Sequence, residues 1–437
     1  MTARRIAVLG TGYVGLTTGA CLASLGHRVV CADVDAAKVA RLERGEVDML
    51  ESGLAELVAD GLASGRLGFV VGSPTAVGEA EMVFLCVPTP MASDGGADLA
   101  VVESVIREVG HLLSSECVLV TKSTVPVGTS ARVAELVRRD DVAVVSNPEF
   151  LREGSAVHDF LHPDRIVVGS NDHAAARRVA ELYAELEAPT VLTDAASAEL
   201  VKYAANCLLA TKLAYVNALA EVCEHRGADI ADVTAGMDSD REVGRSFLRP
   251  GPGWGGSCLP KDTHALLRIS ESVGVDFALL RAVISANARQ RERMVTKIAD
   301  TCGTGDPGSL SGVRLGVLGL TFKAGTDDLR DSPALSVVSL LARHGAELRA
   351  YDPALRGDEP RLEGVATLVD DPYQAVKGAA GIVVLTEWPE FRELDWSRLA
   401  AMLDGSVVVD TRNHLDPRQP QAAGVSWHGL GRPSPPR

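Results

Sequence analysis

The sequence predicts an α/β protein, two parallel-sheet domains joined by a long-helix region, and three observations carry that expectation. Over residues 1–195 short apolar runs alternate with helical patterns, the mark of βαβ units that cover both faces of a parallel sheet. From 195 to 226 the pattern becomes one apolar-periodic stretch without Gly or Pro, which reads as a single helix. After a Gly- and Pro-rich segment at 301–311, strand-and-helix alternation restarts.

Taken in order, the expected strands of the first half are 5–10, 28–33, 82–87, 117–121, 142–146 and 165–169. Helices are expected between them at 13–25, 35–44, 99–113, 129–138 and 173–187, the first closed by Gly26. A helix as long as 195–226 commonly bridges domains or forms a dimer seam. The stretch 249–256 (RPGPGWGG) is too rich in Gly and Pro for a regular element and reads as a loop, with a helix following from Pro260 and another over 277–302. Gly303, Gly305, Pro307 and Gly308 mark 301–311 as the linker, and the alternation resumes through 314–318, 335–344, 347–351, 381–386 and 406–410. The expected organisation is therefore a first sheet domain at 1–195, a central helical region at 196–300, the linker 301–311, a second and smaller sheet domain at 312–430, and a disordered tail at 431–437. Identity between the two halves is too weak to make them a repeat.

Composition narrows the function classes. A chain of 437 residues exceeds what one hydrophobic core serves, and 46% hydrophobic with 23% charged residues is ordinary globular usage. The net charge of −15 argues against nucleic acid and against an anionic membrane surface as partners. The eight cysteines form no metal-ligand spacing, and several sit in apolar runs, so they read as buried thiols of a reducing cytoplasm. No metal site is expected. Residues 5–10 begin a strand with no signal-type apolar region before them, and no run of 18 apolar residues occurs, so an intracellular, soluble protein is expected.

Several motifs carry chemistry. Gly10-Thr11-Gly12-Tyr13-Val14-Gly15 follows the first strand and opens a helix, the context in which a G-x-G-x-x-G turn offers a helix N-terminus to a pyrophosphate. Asp33 ends the second strand, where a carboxylate accepts ribose hydroxyls and repels a 2′-phosphate, so NAD is expected over NADP. Cys258, in Gly255-Gly256-Ser257-Cys258-Leu259-Pro260-Lys261-Asp262, sits after a glycine pair and ahead of an expected helix, a setting that favours the thiolate. A thiol of that kind traps an aldehyde as a thiohemiacetal, which an NAD enzyme needs when it oxidises an alcohol to an acid. Lys202 and Asn206 are one helical turn apart, a cation and an amide able to stabilise an oxyanion, although such a pair taken alone is more often a solvated face. Glu149 and Glu153 lie in the loop 147–154 (NPEFLREG) at the carboxyl edge of the sheet, either as base and cofactor contacts or as an ordinary polar loop, and Thr89 and Thr124 occupy similar edge positions. In the second half, Lys323 in 322–330 (FKAGTDDLR) follows a strand and is placed to grip phosphates.

These residues resemble the UDP-glucose/GDP-mannose dehydrogenase family of nucleotide-sugar dehydrogenases, and the match runs through six motifs in order: 10–15, 121–128 (TKSTVPVG), 147–154, 202–206, 250–262 (PGPGWGGSCLPKD) and 319–333 (GLTFKAGTDDLRDSP). The resemblance implies two Rossmann-like domains with the nucleotide sugar between them and a long central helix at a homodimer core, or a higher homo-oligomer. It implies two-step oxidation of a sugar C6 alcohol to the carboxylate with two NAD⁺ per product. By the same resemblance Cys258 is the nucleophile, Lys202 and Asn206 hold the oxyanion, Asp262 positions or activates water, and Glu149 is the base of thioester hydrolysis with Thr124 helping to hold the water. Asp33, Lys38, Thr89, Thr124, Glu153, Lys261 and Arg330 match cofactor contacts beside Gly10, Gly12, Tyr13, Val14 and Gly15. Phe150, Leu151, Arg152, Glu153, Lys202, Asn206, Phe247, Leu248, Pro250, Gly251, Gly255 and Lys323 match substrate contacts.

The chain departs from the family in one place: the usual Arg-Ile-Gly before Phe-Leu reads Glu242-Val243-Gly244, with arginines at 241 and 245, so the arginine that reaches a neighbouring subunit's substrate is displaced. Within the family, Ser257 before the cysteine and Leu259-Pro260 after it set aside the N-acetylmannosaminuronate branch. UDP-glucose is favoured over GDP-mannose by 159–169 (DFLHPDRIVVG) and Gly253-Trp254-Gly255. A β-hydroxyacid dehydrogenase would need neither the Cys258 loop nor a third domain, and a non-catalytic NAD-binding regulator would have no use for the nucleophile.

Overall fold

The computed structural model describes residues 3–303 and 309–433. Residues 304–308 of the expected linker and 434–437 of the expected tail lie outside the described residues. The chain divides into two compact units, Met1–Ala205 with His264–Val275, and Asn206–Thr263 with Asp276–Arg437.

The first unit holds an eight-stranded sheet: β1 (Arg5–Leu9), β2 (Arg28–Asp33), β3 (Leu67–Val71), β4 (Met82–Leu85), β5 (Val118–Thr121), β6 (Ala143–Ser146), β7 (Ile166–Gly169) and β8 (Thr190–Thr193), in the order β3-β2-β1-β4-β5-β6-β7-β8. All neighbours are parallel except β6 and β7, which meet antiparallel at Ser146 and Gly169. The strands are parallel because helices return each one over a face, and a sheet buried on both faces needs apolar side chains on both. Ile6 and Val8 enter one core cluster, Ala7 and Leu9 the other, as the two-residue period of a strand requires. Two of this unit's helices start at an acidic cap, Asp35, whose carboxylate accepts from Ala37 N and Lys38 N, and Asp172, which accepts from Ala174 N and Ala175 N.

The second unit holds a six-stranded parallel sheet of β9 (Arg314–Leu318), β10 (Glu347–Tyr351), β11 (Thr367–Leu368), β12 (Gly381–Val384), β13 (Val407–Asp410) and β14 (Ser426–Gly429), in the order β11-β10-β9-β12-β13-β14. Both sheets reverse direction of winding beside their first strand, and in such sheets ligands bind at the carboxyl ends next to that point. The two first turns are built alike. In the first sheet Asp33, at the end of β2, accepts Thr11 N at 3.0 Å and Thr11 Oγ1 at 2.5 Å. In the second, Asp352, just past β10, accepts Leu320 N at 2.7 Å, Thr321 N at 3.0 Å and Thr321 Oγ1 at 3.1 Å. They differ in exposure: the Asp33 carboxylate is 16% exposed, while Asp352 is 0% exposed and carries the Trp388 indole N–H at 3.1 Å as well.

The long helix runs over Ala195–Arg226, and two further helices cover Leu259–Ser272 and Ala278–Cys302. The last continues to Cys302, so the expected linker begins two residues inside a helix: the glycines that stop it start only at Gly303. Among the described residues no helix is long and apolar enough to cross a membrane. Seven cysteines are buried and Cys258 is half-exposed.

Candidate functional site

At the carboxyl edge of the first sheet, the helix Tyr13–Ser24 begins at Gly12 with no side-chain cap and no acidic residue in its first turn. A Cβ built on Gly12 meets nothing within 4 Å, so the helix N-terminus faces open space with uncapped N–H groups, which fits a pyrophosphate. Asp33 lies beside this turn. Burial opposes its charge, but hydrogen bonds from Thr11 and Asp35 and the Lys38 ammonium at 3.5 Å hold it below the usual carboxylate range. Lys38 Nζ also donates to Thr11 O at 2.7 Å, which locks the turn to the acid. These residues fit a dinucleotide with free ribose hydroxyls. The edge loops after β4 and β5 are joined by the Thr89 hydroxyl, which donates to Thr124 O at 2.9 Å. Tyr13 reaches the opposite way: its hydroxyl bonds Glu51 and accepts from Gly154 N, so the nucleotide turn is tied to the loop that carries Phe150, Leu151, Arg152 and Glu153.

The loop after β6 places Glu149 inside the protein, 6% exposed, where Lys202 of the long helix pairs with it at 2.9 Å and Leu151 N donates at 2.6 Å. Burial alone would raise this acid, yet Lys202, the Leu151 N–H and Lys122 outweigh it and keep Glu149 below its ordinary range. A base that is ionised, buried and paired with a lysine can accept a proton once that lysine turns to another anion. The Phe150 ring meets two cations, the Arg165 guanidinium 3.8 Å and the Lys202 ammonium 5.5 Å from its centre. The Arg152 side chain is engaged by Asp159 at 2.6 Å.

In the second unit, Cys258 immediately precedes the helix Leu259–Ser272, and its carbonyl accepts Asp262 N at 2.9 Å, closing the first helical turn. The sulfur therefore sits at the positive end of a helix, the position that favours a thiolate. Asp262 is 0% exposed and receives Asn206 Nδ2 at 2.6 Å on one oxygen and Lys261 Nζ at 2.5 Å on the other. One helical turn past the thiol there is thus a fixed carboxylate, and Asn206 is aimed by it. The Cys258 loop is pressed onto the 319–333 motif: a Cβ on Gly255 would lie 2.0 Å from Asp331 O, so only glycine permits this approach. Phe247 adopts φ +64°, an unusual conformation for an aromatic residue, in the loop expected to contact substrate, and Leu248, Pro250 and Gly251 beside it are buried. Lys323 and Arg330 lie in the same motif past β9, with Arg330 ion-paired to Asp328 at 2.8 Å.

The structure thus gathers the expected residues into two groups. Gly10, Gly12, Tyr13, Val14, Gly15, Asp33, Lys38, Thr89, Thr124, Glu149, Phe150, Leu151, Arg152, Glu153 and Lys202 belong to the first unit. Asn206, Phe247, Leu248, Pro250, Gly251, Gly255, Cys258, Lys261, Asp262, Lys323 and Arg330 belong to the second, including two of the expected cofactor contacts, Lys261 and Arg330.

Sequence reasoning overlooked several residues here. Buried amides hold the Cys258 loop: Asn287 bonds Trp254 N and O at 2.8 and 2.9 Å, Gln290 donates to Gly251 O at 2.8 Å, and Asn217 accepts Gly251 N at 2.8 Å. Arg412, past β13, comes within 3.1 Å of where a Cβ on Gly251 would stand and donates to Phe322 O at 3.1 Å, placing a guanidinium among the expected substrate loops. Lys122 is buried at the end of β5. Each is polar on an otherwise apolar face, or is the first charged residue after an apolar strand, and that is the signal that could have found it.

Three family models match: the NAD binding domain of the UDP-glucose/GDP-mannose dehydrogenase family over residues 4–187, its central domain over 196–289 and its UDP binding domain over 316–417. The chain is 43% identical to a UDP-glucose 6-dehydrogenase of Pseudomonas aeruginosa, with 98% of each chain covered. It is 41% identical to UDP-glucose 6-dehydrogenase TuaD of Bacillus subtilis, covering 99% of this chain and 94% of that one. Among solved structures it is similar to a UDP-glucose dehydrogenase of Pyrobaculum islandicum, with a TM-score of 0.90, 37% identity, and 99% and 98% of the two chains covered.

Proposed function

Because the chain belongs to the UDP-glucose/GDP-mannose dehydrogenase family, and is thereby an NAD-dependent oxidoreductase, we propose that it oxidises the C6 alcohol of UDP-glucose to the carboxylate. The observation that carries this reading is the seat of Cys258, a half-exposed thiol at a helix start, one turn from a buried carboxylate that also orients Asn206. An alcohol-to-ketone enzyme has no need of it. NAD⁺, when bound, accepts a hydride at each of two oxidations.

The residues supply the rest. Lys202 and Asn206 stabilise negative charge on the C6 oxygen as the alcohol becomes an aldehyde. The Cys258 sulfur adds to the aldehyde carbon, giving a thiohemiacetal; loss of its hydride leaves a thioester. Water then attacks the acyl carbon. Glu149, with Thr124 holding the water and Asp262 positioning it, takes the proton, the carbon–sulfur bond breaks, and Cys258 departs as thiolate. The balance is one alcohol, one water and two NAD⁺ giving one carboxylate, two NADH and three protons.

We assign the cofactor to the first sheet and the nucleotide to the second, with the divisions 1–195, 196–300 and 312–430 as the functional parts. A homodimer is supported by Leu208, Tyr215 and Val222, which recur every seven residues along the long helix at 62%, 58% and 55% exposure, an uncovered apolar stripe of the kind a partner helix buries. The seven buried thiols fit a reducing cytoplasm. UDP-glucose is favoured over GDP-mannose by the names of the relatives above and by residues 159–169.

The test is product analysis: purified enzyme with NAD⁺ and either UDP-glucose or GDP-mannose, NADH counted by absorbance and product identified by mass. Two NADH and UDP-glucuronate per UDP-glucose are expected. One NADH per sugar, or turnover with GDP-mannose alone, overturns the proposal.

A further inference from the structure

Lys122 is 5% exposed, yet it is absent from the ion pairs among the described residues. Its ammonium donates instead to Asn147 Oδ1 at 3.1 Å and lies 3.4 Å from the Tyr183 hydroxyl, which itself donates to Asn147 Oδ1 at 2.6 Å. Asn147 is anchored in turn by Nδ2 on Val167 O at 2.8 Å, and the rings of Phe160 and Tyr183 face the ammonium at 5.8 and 5.5 Å. Sinking an ammonium among neutral partners costs several kcal/mol and leaves it nothing to repay in stability that an apolar residue would not supply better. A charge held there is poorly screened and acts strongly on its neighbours. Lys122 and Glu149 line the same cavity, of about 130 Å³.

We propose that Lys122 is a positioning residue that keeps Glu149 ionised through thioester hydrolysis, while Lys202 is drawn to the substrate oxygen. The inference rests on the reaction proposed above. In the resting arrangement Lys202 neutralises Glu149 at 2.9 Å. When that ammonium serves the oxyanion instead, a carboxylate 6% exposed is left to take up a proton, and a protonated Glu149 cannot accept one from water. Lys122 cannot follow Lys202, because Asn147 and Tyr183 hold it in place. The groups facing the pair are Cys86 beyond β4, Tyr183 in the turn Glu181–Leu186, and Lys202. The cavity wall adds Arg152, His158, Asp159, His162, Asp164 and Arg165. Burial pulls the Lys122 ammonium down to about 8, so its influence is present below that pH and fades above it.

The experiment uses whole enzyme with UDP-glucose and NAD⁺, quenched over time from pH 5.5 to 9. Stopped-flow absorbance reads the first NADH burst, and intact-protein mass reads the thioester on Cys258. In K122M a unit charge is lost from the cavity that Glu149 also lines, and at an effective dielectric of about 20 and a separation within about 10 Å the acid limb of hydrolysis should rise by about one pH unit or more. Thioester then accumulates at pH 6, decaying roughly tenfold more slowly, the rate equivalent of one pH unit, while the burst is retained and the profiles converge above pH 8. K122R restores the wild-type limb, and K122Q reproduces K122M should the methionine variant fold poorly. An unmoved limb in both neutral variants, or burst and hydrolysis falling together, overturns the proposal. Wild-type enzyme that yields one NADH per sugar overturns the underlying reaction instead, so the two failures are distinguishable.

Discussion

Lys202→Met removes one half of the buried ion pair with Glu149, and the arrangement allows the cost to be worked out. The two side chains are 4% and 6% exposed and 2.9 Å apart, so solvent screens them little. At an effective dielectric of about 20 the attraction is roughly 6 kcal/mol before desolvation is set against it. Breaking such a pair while leaving the other charge buried costs about 3–5 kcal/mol, and with Lys122 still near, the lower end is expected. The pH dependence has a definite sign. Glu149 is held below its ordinary range, so the pair stabilises the fold above the unfolded carboxylate's titration and loses that contribution as acid protonates it. In the variant, burial lifts Glu149 instead, so the deficit against wild type is largest at neutral and alkaline pH and shrinks toward pH 5. Denaturant unfolding of wild type, K202M, E149Q and the double variant at pH 5 and pH 8 measures this, compared as a double-mutant cycle on the same transition. A deficit below about 1 kcal/mol at pH 8, the range of an exposed pair, or a double variant as unstable as K202M, would refute the reasoning.

Cys258→Ser should abolish acid formation while leaving NAD affinity nearly intact, read by product mass and cofactor titration; unchanged turnover removes the thiol from the reaction. Gly255→Ala sets a methyl 2.0 Å from Asp331 O and must push the Cys258 loop aside, so kcat should fall on the order of 100-fold, and wild-type kinetics would show that the loop's position is not critical. Asn287→Ala leaves Trp254 N and O without their amide partner in a buried site, for a loss of about 2 kcal/mol in unfolding and a lower kcat, and a stability unchanged within 0.5 kcal/mol, the scatter of neutral surface changes, counts against the clamp. Tyr215→Glu places a charge in the exposed stripe of the long helix and should yield monomers by sedimentation, whereas an unaltered oligomer excludes that face from the interface.

What could be read from the sequence depended on burial. Most strands in the middle of each sheet are apolar on both faces, so β1, β2, β4, β5, β9, β12 and β13 stand out as hydrophobic runs, whereas β10 (ELRAY) is broken by Arg349 and shows itself by alternation. The four strands that escaped, β3, β8, β11 and β14, are the four sheet edges. An edge strand packs on fewer neighbours and tolerates polar residues: Thr190–Thr193 is largely exposed, and β11 is two residues long. The antiparallel meeting of β6 and β7 was equally hidden, since a strand's direction leaves no trace in its composition. In the site, residues with a local signature were visible, as with the glycine turn at 10–15 and Cys258 among its glycines. The amides Asn217, Asn287 and Gln290 show only as polar residues on apolar helix faces; their partners, backbone atoms 33 to 39 positions away in sequence, are brought to them by the fold alone. Lys122 lay inside a recognised motif, but its importance is its burial, which no spacing encodes.

The burial of Asp352 bears on how the two oxidations of the reaction proposed above would be scheduled. Asp33 keeps part of its carboxylate open to the solvent, whereas Asp352, closed off by the Trp388 indole and three donors of its own turn, has no surface left to greet an adenosine ribose. Of the two look-alike turns, the first is thus the one whose acid stays open to a ribose. The reaction proposed above would need cofactor exchange at that one turn halfway through each sugar, with the aldehyde kept from drifting off meanwhile. In the proposed scheme the bond to Cys258 would supply that hold, making the thiol a leash as well as a nucleophile.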